Sequence, residues 1–200
     1  MVHISDGILS PEVLAAGWVV TIVLLTLSMR KLEAEEIPRL SLITAAFFVA
    51  SLIHMPAGPT SVHLILNGLV GVTLGILAYP SIFIGLVLQA LLFGHGGVTV
   101  IGVNSMTMGL PALAAYSLFR LGGKTETPRR LGLFGGLAGG LAVTLAVILT
   151  SLMLLTTGEE FMVVAAALII AHIPIIIIES VVVGSIVAFL AAVKPEMLKK

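Results

Sequence analysis

The chain has 200 residues, of which 58% are hydrophobic and 10% are charged, and its formal net charge at pH 7 is zero. Soluble domains carry roughly 25% charged residues, so this composition excludes a water-soluble globular fold and favours a membrane protein. A nucleic-acid-binding protein would need a basic excess, which the balance of 10 basic against 10 acidic residues does not provide. Because cysteine is absent, disulfides, thiolate metal sites and cysteine nucleophiles are excluded as well.

Charged or Pro/Gly-rich breaks divide the chain into seven apolar stretches, each a candidate for a helix that crosses about 30 Å of hydrocarbon. The predicted fold is therefore all-α, a single transmembrane domain over residues 1–200 in which residues 1–10 form an extracytoplasmic segment. Joining the third and fourth stretches at Tyr79 and Pro80 would give six helices, but each of the two is too long to share one crossing. The predicted helices cover residues 11–30, 39–54, 61–78, 80–93, 104–121, 130–156 and 160–193.

The distribution of basic residues predicts the orientation. Cytoplasmic loops are enriched in Lys and Arg, and seven crossings with the amino terminus outside place all ten of them on the inner side. The acidic residues Asp6 and Glu12 precede the first apolar stretch, which is the reverse of a signal peptide, so this helix is expected to stay attached. The basic residues are Arg30, Lys31, Arg39, Arg120, Lys124, Arg129, Arg130, Lys194, Lys199 and Lys200.

Four of the five histidines fall on the predicted outer side. They are His3, His54, His63 and His95, whereas His172 lies inside the seventh span. A single surface imidazole would carry no functional meaning. Four of them on one face favour a metal site.

The amino terminus has a spacing with specific metal chemistry, because His3 is the third residue. The α-amine of Met1, the intervening amide nitrogens of Val2 and His3 and the His3 imidazole can place four nitrogens in one plane. That geometry suits Ni(II) and Cu(II), whereas Zn(II) prefers a tetrahedron. The amides must lose protons to bind, so affinity should fall as pH falls. Removal of Met1 would leave a shorter chelate.

Other outer residues are candidates to complete this site. Thr60 and Ser61 predict a helix cap, which puts His63 in the first turn of the third helix as a further ligand. The segment "GHGGVTVIGVNSMTMG" is too polar for a lipid-exposed helix and is expected to fold over the bundle, with His95 and Asn104 orienting the ligands. Met106 and Met108 are soft donors, but packing is the more common role of methionine in membrane helices.

Several polar and small residues inside the spans have structural explanations. His172 and Glu179 share a helix face and could form a proton relay, although a structural role is favoured because no other span contains an acidic residue. Asn67 and Gln89 are expected to bond between helices. Small residues predict close helix packing at Gly132, Gly136 and Gly140, with Gly135 and Gly139, at Gly71 and Gly75, and at Ala46 and Ala50.

The sequence resembles the CbiM/NikM family, the substrate-binding components of cobalt/nickel energy-coupling-factor transporters of the prokaryotic plasma membrane. The resemblance lies in "HISDGILSP", "GPTSVHL", "GHGGVTVIGVNSMTMG" and "AHIPIIIIESVVVG", which occur in family order along the chain. It implies seven helices, Ni(II) or Co(II) as transported substrate, and binding through the terminus and His63. It further implies a transmembrane coupling protein contacted through Ala46 and Ala50, two cytoplasmic ATPase subunits and a small accessory membrane protein.

The chain departs from this family at the predicted site. The family typically begins Met-His, whereas Val2 precedes His3 here. With the extra residue the terminus alone could supply four nitrogens, which would make His63 redundant or axial. The planar site favours nickel over cobalt.

Competing functions receive less support from the residues. An intramembrane metalloenzyme would need open metal positions and a general base, and the chain has neither a His-Glu-x-x-His motif nor an aspartate pair inside its spans. A stand-alone channel or proton-coupled carrier would place acidic residues on several helices. A retinal-type receptor would need a lysine inside the last span. The chain is therefore expected to be a non-catalytic transport subunit.

Overall fold

The computed structural model describes residues 3–57, 60–122 and 127–198, without the side chains of residues 54–57 and 60–62. Met1 and Val2, which were predicted to bind metal, lie outside these residues, as do Lys124, Lys199 and Lys200. The described chain is helical apart from one short hairpin. Its α-helices are α1 (Pro11–Met29), α2 (Ile37–Ala50), α3 (Asn67–Leu74), α4 (Ala78–Phe93), α5 (Ile101–Gly122), α6 (Pro128–Leu155) and α7 (Met162–Val193).

The hairpin corrects the prediction of a third helix over 61–78, while the helical content keeps the fold in the predicted all-α class. Strands β1 (His54–Ala57) and β2 (Thr60–His63) pair antiparallel, with His54 opposite His63. Helix α3 begins only at Asn67, after Leu66 in a left-handed conformation (φ 54°). With eight residues it is about 12 Å long, too short to cross a bilayer by itself.

Four helical stretches in the described residues are long and apolar enough to cross a membrane: Pro11–Met29, Asn67–Phe93, Pro128–Leu155 and Glu159–Val193. The third and fourth predicted spans share one of these stretches, joined by a 3-10 turn at Gly75–Leu77. Helix α2 has 14 residues and α5 is rich in Gly, Ser, Thr and Asn. Seven separate crossings therefore stay a prediction, as does the side on which each terminus lies.

Helix α3 lies in the middle of the bundle. All eight of its residues are buried, and glycine permits its close approach to neighbouring backbones. A Cβ on Gly68 would come within 2.6 Å of the Gly139 Cα in α6, and one on Gly71 would overlap the Ala112 carbonyl in α5. The residue before α3, Leu66, is thereby held at a fixed depth inside the protein.

The glycine ridge predicted in α6 does pack closely against α7. A Cβ on Gly132 would lie 2.7 Å from that of Ala188, and one on Gly136 would lie 2.8 Å from the Ser180 carbonyl oxygen. Such contacts let two long helices pack along their lengths without a polar interface. The α6–α7 pair is the frame against which α3 and the hairpin are fixed.

One cavity of about 400 Å³ brings together segments that the charge pattern assigns to the same side. It is lined by Lys31 and Glu33 before α2, by the turn Leu74–Leu77, and by Tyr116 and Arg120 near the end of α5. Their proximity is expected if successive helices cross in opposite directions, because these three segments then lie on the same side of the membrane.

Candidate metal centre

The amino-terminal segment is docked into the protein from His3 onward. The side chains of Ile4 and Leu9 are buried with Val100 and Val103. Asn104 in α5 holds this segment through both backbone groups of Ile4: the Ile4 amide donates to Asn104 Oδ1 at 3.0 Å, and Asn104 Nδ2 donates to the Ile4 carbonyl at 3.0 Å. Asn104, which was predicted to orient a ligand, thus holds the backbone of the residue that follows His3.

Asp6 makes the second attachment, to the loop between α4 and α5. Its carboxylate accepts hydrogen bonds from the amides of Val98 and Thr99, both at 3.0 Å, from the amide of Val100 at 3.3 Å and from the Thr99 hydroxyl. The Thr99 hydroxyl, together with these amides, lowers the pKa of Asp6 below its ordinary value. Gly97 is required in this loop, because a Cβ there would overlap the Asp6 carboxylate.

His63 lies at the end of β2 and not in the first turn of α3, which corrects the prediction. The helix-cap signal at Thr60 and Ser61 belongs instead to a strand. The His63 side chain is buried, and its Nδ1 donates to the Leu64 carbonyl at 2.8 Å. This bond fixes the tautomer with the proton on Nδ1, in which Nε2 carries the lone pair that a metal ion binds.

The structure brings His3 and His63 together. Their rings are nearly parallel, at 17°, with centroids 5.4 Å apart. Two imidazoles bound to one metal ion with metal–nitrogen bonds of about 2 Å would have centroids roughly 4.5 Å apart at right angles and 6.3 Å apart in line. The observed separation of 5.4 Å falls between these limits.

The ring of His3 has two features of a metal ligand, unpaired nitrogens and a lowered pKa. Both of its nitrogens are buried and have no hydrogen-bond partner among the described residues, although buried polar groups are normally paired. Burial, together with the nearby His63, lowers the pKa of His3 well below its ordinary value. The imidazole is therefore neutral at pH 7, the form that coordinates metal.

The side chains that the structure describes, which exclude that of His54, form no group of three or more His, Asp or Glu arranged to hold a metal ion. His3 and His63 thus provide two imidazoles. Further ligands of the predicted site, the terminal nitrogens of Met1 and Val2, fall outside the described residues.

Glu179 in α7 holds the turn that follows His63. Its side chain is buried, and its Oε1 accepts hydrogen bonds from the amides of Ile65 and of Leu66, the latter at 2.9 Å. His172 does not share this contact, because its Nδ1 donates to the Leu168 carbonyl of its own helix. The two residues therefore have separate structural partners, and the proton relay finds no support in these contacts.

The remaining predicted residues have more peripheral positions. His95 is half-buried with its ring against Phe93 and contributes to the lowered pKa of His3, whereas Met108 is buried in the hydrophobic core. Asn67 bonds between helices as expected, to the Met108 and Ala142 carbonyls. Ala46 is exposed but Ala50 is buried, so of these two alanines Ala46 is the one accessible to a coupling protein.

Asp6 and Glu179 were not predicted as parts of the site. The signal for Asp6 was its place three residues after His3, opposite a glycine-rich loop that offers backbone amides. For Glu179 the signal was a lone carboxylate in an apolar span. Neither signal identifies the partner, because both partners are backbone amides distant in sequence.

Comparison with known proteins identifies the family. The family profile described as the cobalt uptake substrate-specific transmembrane region matches residues 3–197. The chain belongs to the CbiM family. It is 37% identical over 200 residues to a metal transport protein of Haemophilus influenzae, covering 99% of this chain and 97% of that protein.

Other CbiM-family relatives are longer. The chain is 33% identical over 159 residues to the fused nickel transport protein NikMN of Rhodobacter capsulatus, covering 74% of this chain and 46% of that protein. It is 32% identical over 165 residues to the cobalt transport protein CbiM of Chlorobium limicola, covering 76% of this chain and 63% of that protein. The fold is similar to a crystal structure of a transition metal transporter, with a TM-score of 0.78 and 27% identity. The match covers 97% of this chain and 94% of that chain.

These findings establish the chain as a cobalt/nickel transport component of the substrate-specific kind. Its helices are suited to a membrane.

Proposed function

We propose that this chain captures Ni(II) or Co(II) from outside the cell as the substrate-binding component of an energy-coupling-factor importer. The observation that carries the proposal is that two buried imidazoles, of His3 in the docked amino-terminal segment and of His63 at the end of β2, lie with ring centroids 5.4 Å apart. The α-amine and the first amide nitrogens complete the coordination. Nickel is favoured, because a planar nitrogen site suits it.

The transport cycle requires partners. A transmembrane coupling protein contacts the exposed part of α2 near Ala46, and two cytoplasmic ATPase subunits drive release of the ion inward, with a small accessory membrane protein in the assembly. The chain itself catalyses no reaction. It lies in the plasma membrane with seven crossings, and its amino terminus is outside.

Metal titration of the purified chain tests this function. We expect one Ni(II) per chain for the wild type, and a loss of affinity of at least about 100-fold when one extra residue blocks the α-amine or when His3 is changed to Ala. His63→Ala should weaken binding and shift the Ni(II) absorption bands, because His63 is a proposed ligand. His172→Ala is the matched control, because this buried imidazole bonds only within its own helix, and it should bind Ni(II) normally. Unchanged affinity after blocking the amine would contradict the proposal.

A further inference from the structure

One peptide group links the candidate metal ligand His63 to helix α7. The carbonyl of the Leu64–Ile65 peptide accepts the proton of His63 Nδ1 at 2.8 Å. The N–H of the same peptide donates to Glu179 Oε1, and so does the next amide, of Leu66. A continuous hydrogen-bonded chain therefore runs from the Glu179 carboxylate through a peptide plane to the imidazole.

The burial of Glu179 requires an explanation. Its side chain is 0% exposed in the middle of an apolar helix, where a carboxylate is costly unless its oxygens are satisfied. Among the described residues no basic side chain lies within ion-pair distance of it, and His172 is bonded to Leu168. Glu179 Oε1 accepts the amides of Ile65 and Leu66, whereas the buried Oε2 has no hydrogen-bond partner among the described residues.

The turn held by Glu179 is strained. Leu66 has φ 54°, in the left-handed region that β-carbon sterics disfavour. A strained residue persists where its surroundings fix it, and two amides converging on one carboxylate oxygen provide that constraint. Without it, the Leu64–Ile65 peptide would be free to rotate and its carbonyl would leave His63 Nδ1.

We propose that Glu179 is a positioning residue for metal capture, acting through the Leu64–Ile65 peptide to fix the orientation and tautomer of His63. The inference rests on the proposed function. Groups that hold a metal-binding histidine through its second nitrogen also make it a better ligand, and their loss typically costs 10–100-fold in metal affinity. The distinctive feature here is that a peptide group lies between the carboxylate and the ring.

Two substitutions separate the position of the oxygen from its charge. Glu179→Asp keeps the charge but withdraws the oxygen by one methylene, so it should lower Ni(II) affinity by about 10–100-fold and shift the Ni(II) absorption bands. Glu179→Gln loses the charge but keeps an oxygen that accepts both amides, so its affinity should stay within about threefold of the wild type. His172→Gln, a change to a buried polar residue of the same helix, is the control for general disturbance of α7.

A double-mutant cycle tests whether Glu179 acts through His63. In a His63→Ala background, Glu179→Asp should cause no further loss of affinity. A further loss as large as in the wild-type background would overturn the proposal, since the effect would then be a general structural one. The proposal is also overturned if Glu179→Asp binds normally or if Glu179→Gln loses as much affinity as Glu179→Asp. A wild-type chain that takes up no Ni(II) would instead overturn the proposed function itself.

Discussion

Asn104 fixes the backbone next to His3 through two hydrogen bonds with Ile4. Replacement by Leu, which is similar in size, would remove both bonds and leave two buried backbone groups unpaired, at a cost of about 1–3 kcal/mol each. We therefore expect Asn104→Leu to lower Ni(II) affinity by about 10–100-fold, measured by competition with a chelator. Ser117→Ala on the same helix, whose hydroxyl bonds only to the Leu113 carbonyl, should bind normally. Equal affinity in the two variants would contradict the role of Asn104.

Asp6 makes the docking of the amino-terminal segment dependent on pH. Because the folded state lowers the pKa of Asp6, its contribution is complete above the unfolded value of about 3.9 and is lost as pH falls through the lower folded value. Trp18, the only tryptophan in the chain, reports on this contact because its indole N–H donates to the Thr99 carbonyl. We expect constant Trp18 fluorescence from pH 7 to 5 and a change below about pH 4.

The variant Asp6→Asn should give an altered Trp18 emission already at pH 7, because an amide cannot accept the same four hydrogen bonds. Glu159→Gln serves as the control, since it removes an exposed carboxylate from the turn before α7. An Asp6→Asn emission spectrum identical to that of the wild type would show that the contact is not formed in solution.

At the residue scale, the sequence contains local signals for the candidate ligands but none for the groups that hold them in place. The third position of His3 and the polarity of the loop before Asn104 are local signals. The partners of Asp6 and Glu179 are backbone amides, and any residue except proline provides one. Which amides are available depends on the tertiary fold, so a single sequence did not predict these contacts.

At the scale of elements, the third predicted helix was wrong for a physical reason. The apolar stretch from residue 61 fits a helix by composition, and a Thr-Ser pair is a common helix cap. Two features compete with that interpretation: the strand pairing of Thr60–His63 with His54–Ala57 and the left-handed Leu66. The helix begins only where the Asn67 side chain reaches neighbouring helices. The predicted close packing of the α6 glycines depends only on residue size, and the structure confirms it.

The α6–α7 interface gives a prediction at this scale. Gly136→Leu would force a side chain against the Ser180 carbonyl oxygen, which lies 2.8 Å from a Cβ at this position. Overpacking costs about 1–3 kcal/mol, so thermal unfolding in detergent should occur roughly 2–10 °C lower. Leu137→Ala, at a neighbouring position that is 52% exposed, should unfold within a few degrees of the wild type. A Gly136→Leu protein as stable as this control would contradict the close packing.

At the scale of the whole molecule, the absence of cysteine makes the topology directly testable. Val98 lies in the loop bonded to Asp6, and Lys31 lines the cavity near Arg120; both are exposed. We expect Val98→Cys to react with a membrane-impermeant maleimide in intact cells and Lys31→Cys to react only after permeabilisation. The opposite pattern would reverse the orientation, and equal labelling of both in intact cells would contradict the crossing of α1.

The central claim is that a metal ion binds between His3 and His63, and anomalous diffraction from crystals of the Ni(II)-loaded chain at the nickel edge tests it most directly. The account predicts one strong peak about 2 Å from a ring nitrogen of each histidine, with the Met1 amine in the same coordination sphere. A stoichiometrically loaded crystal with its nickel peak elsewhere in the bundle, and none between these rings, would contradict it.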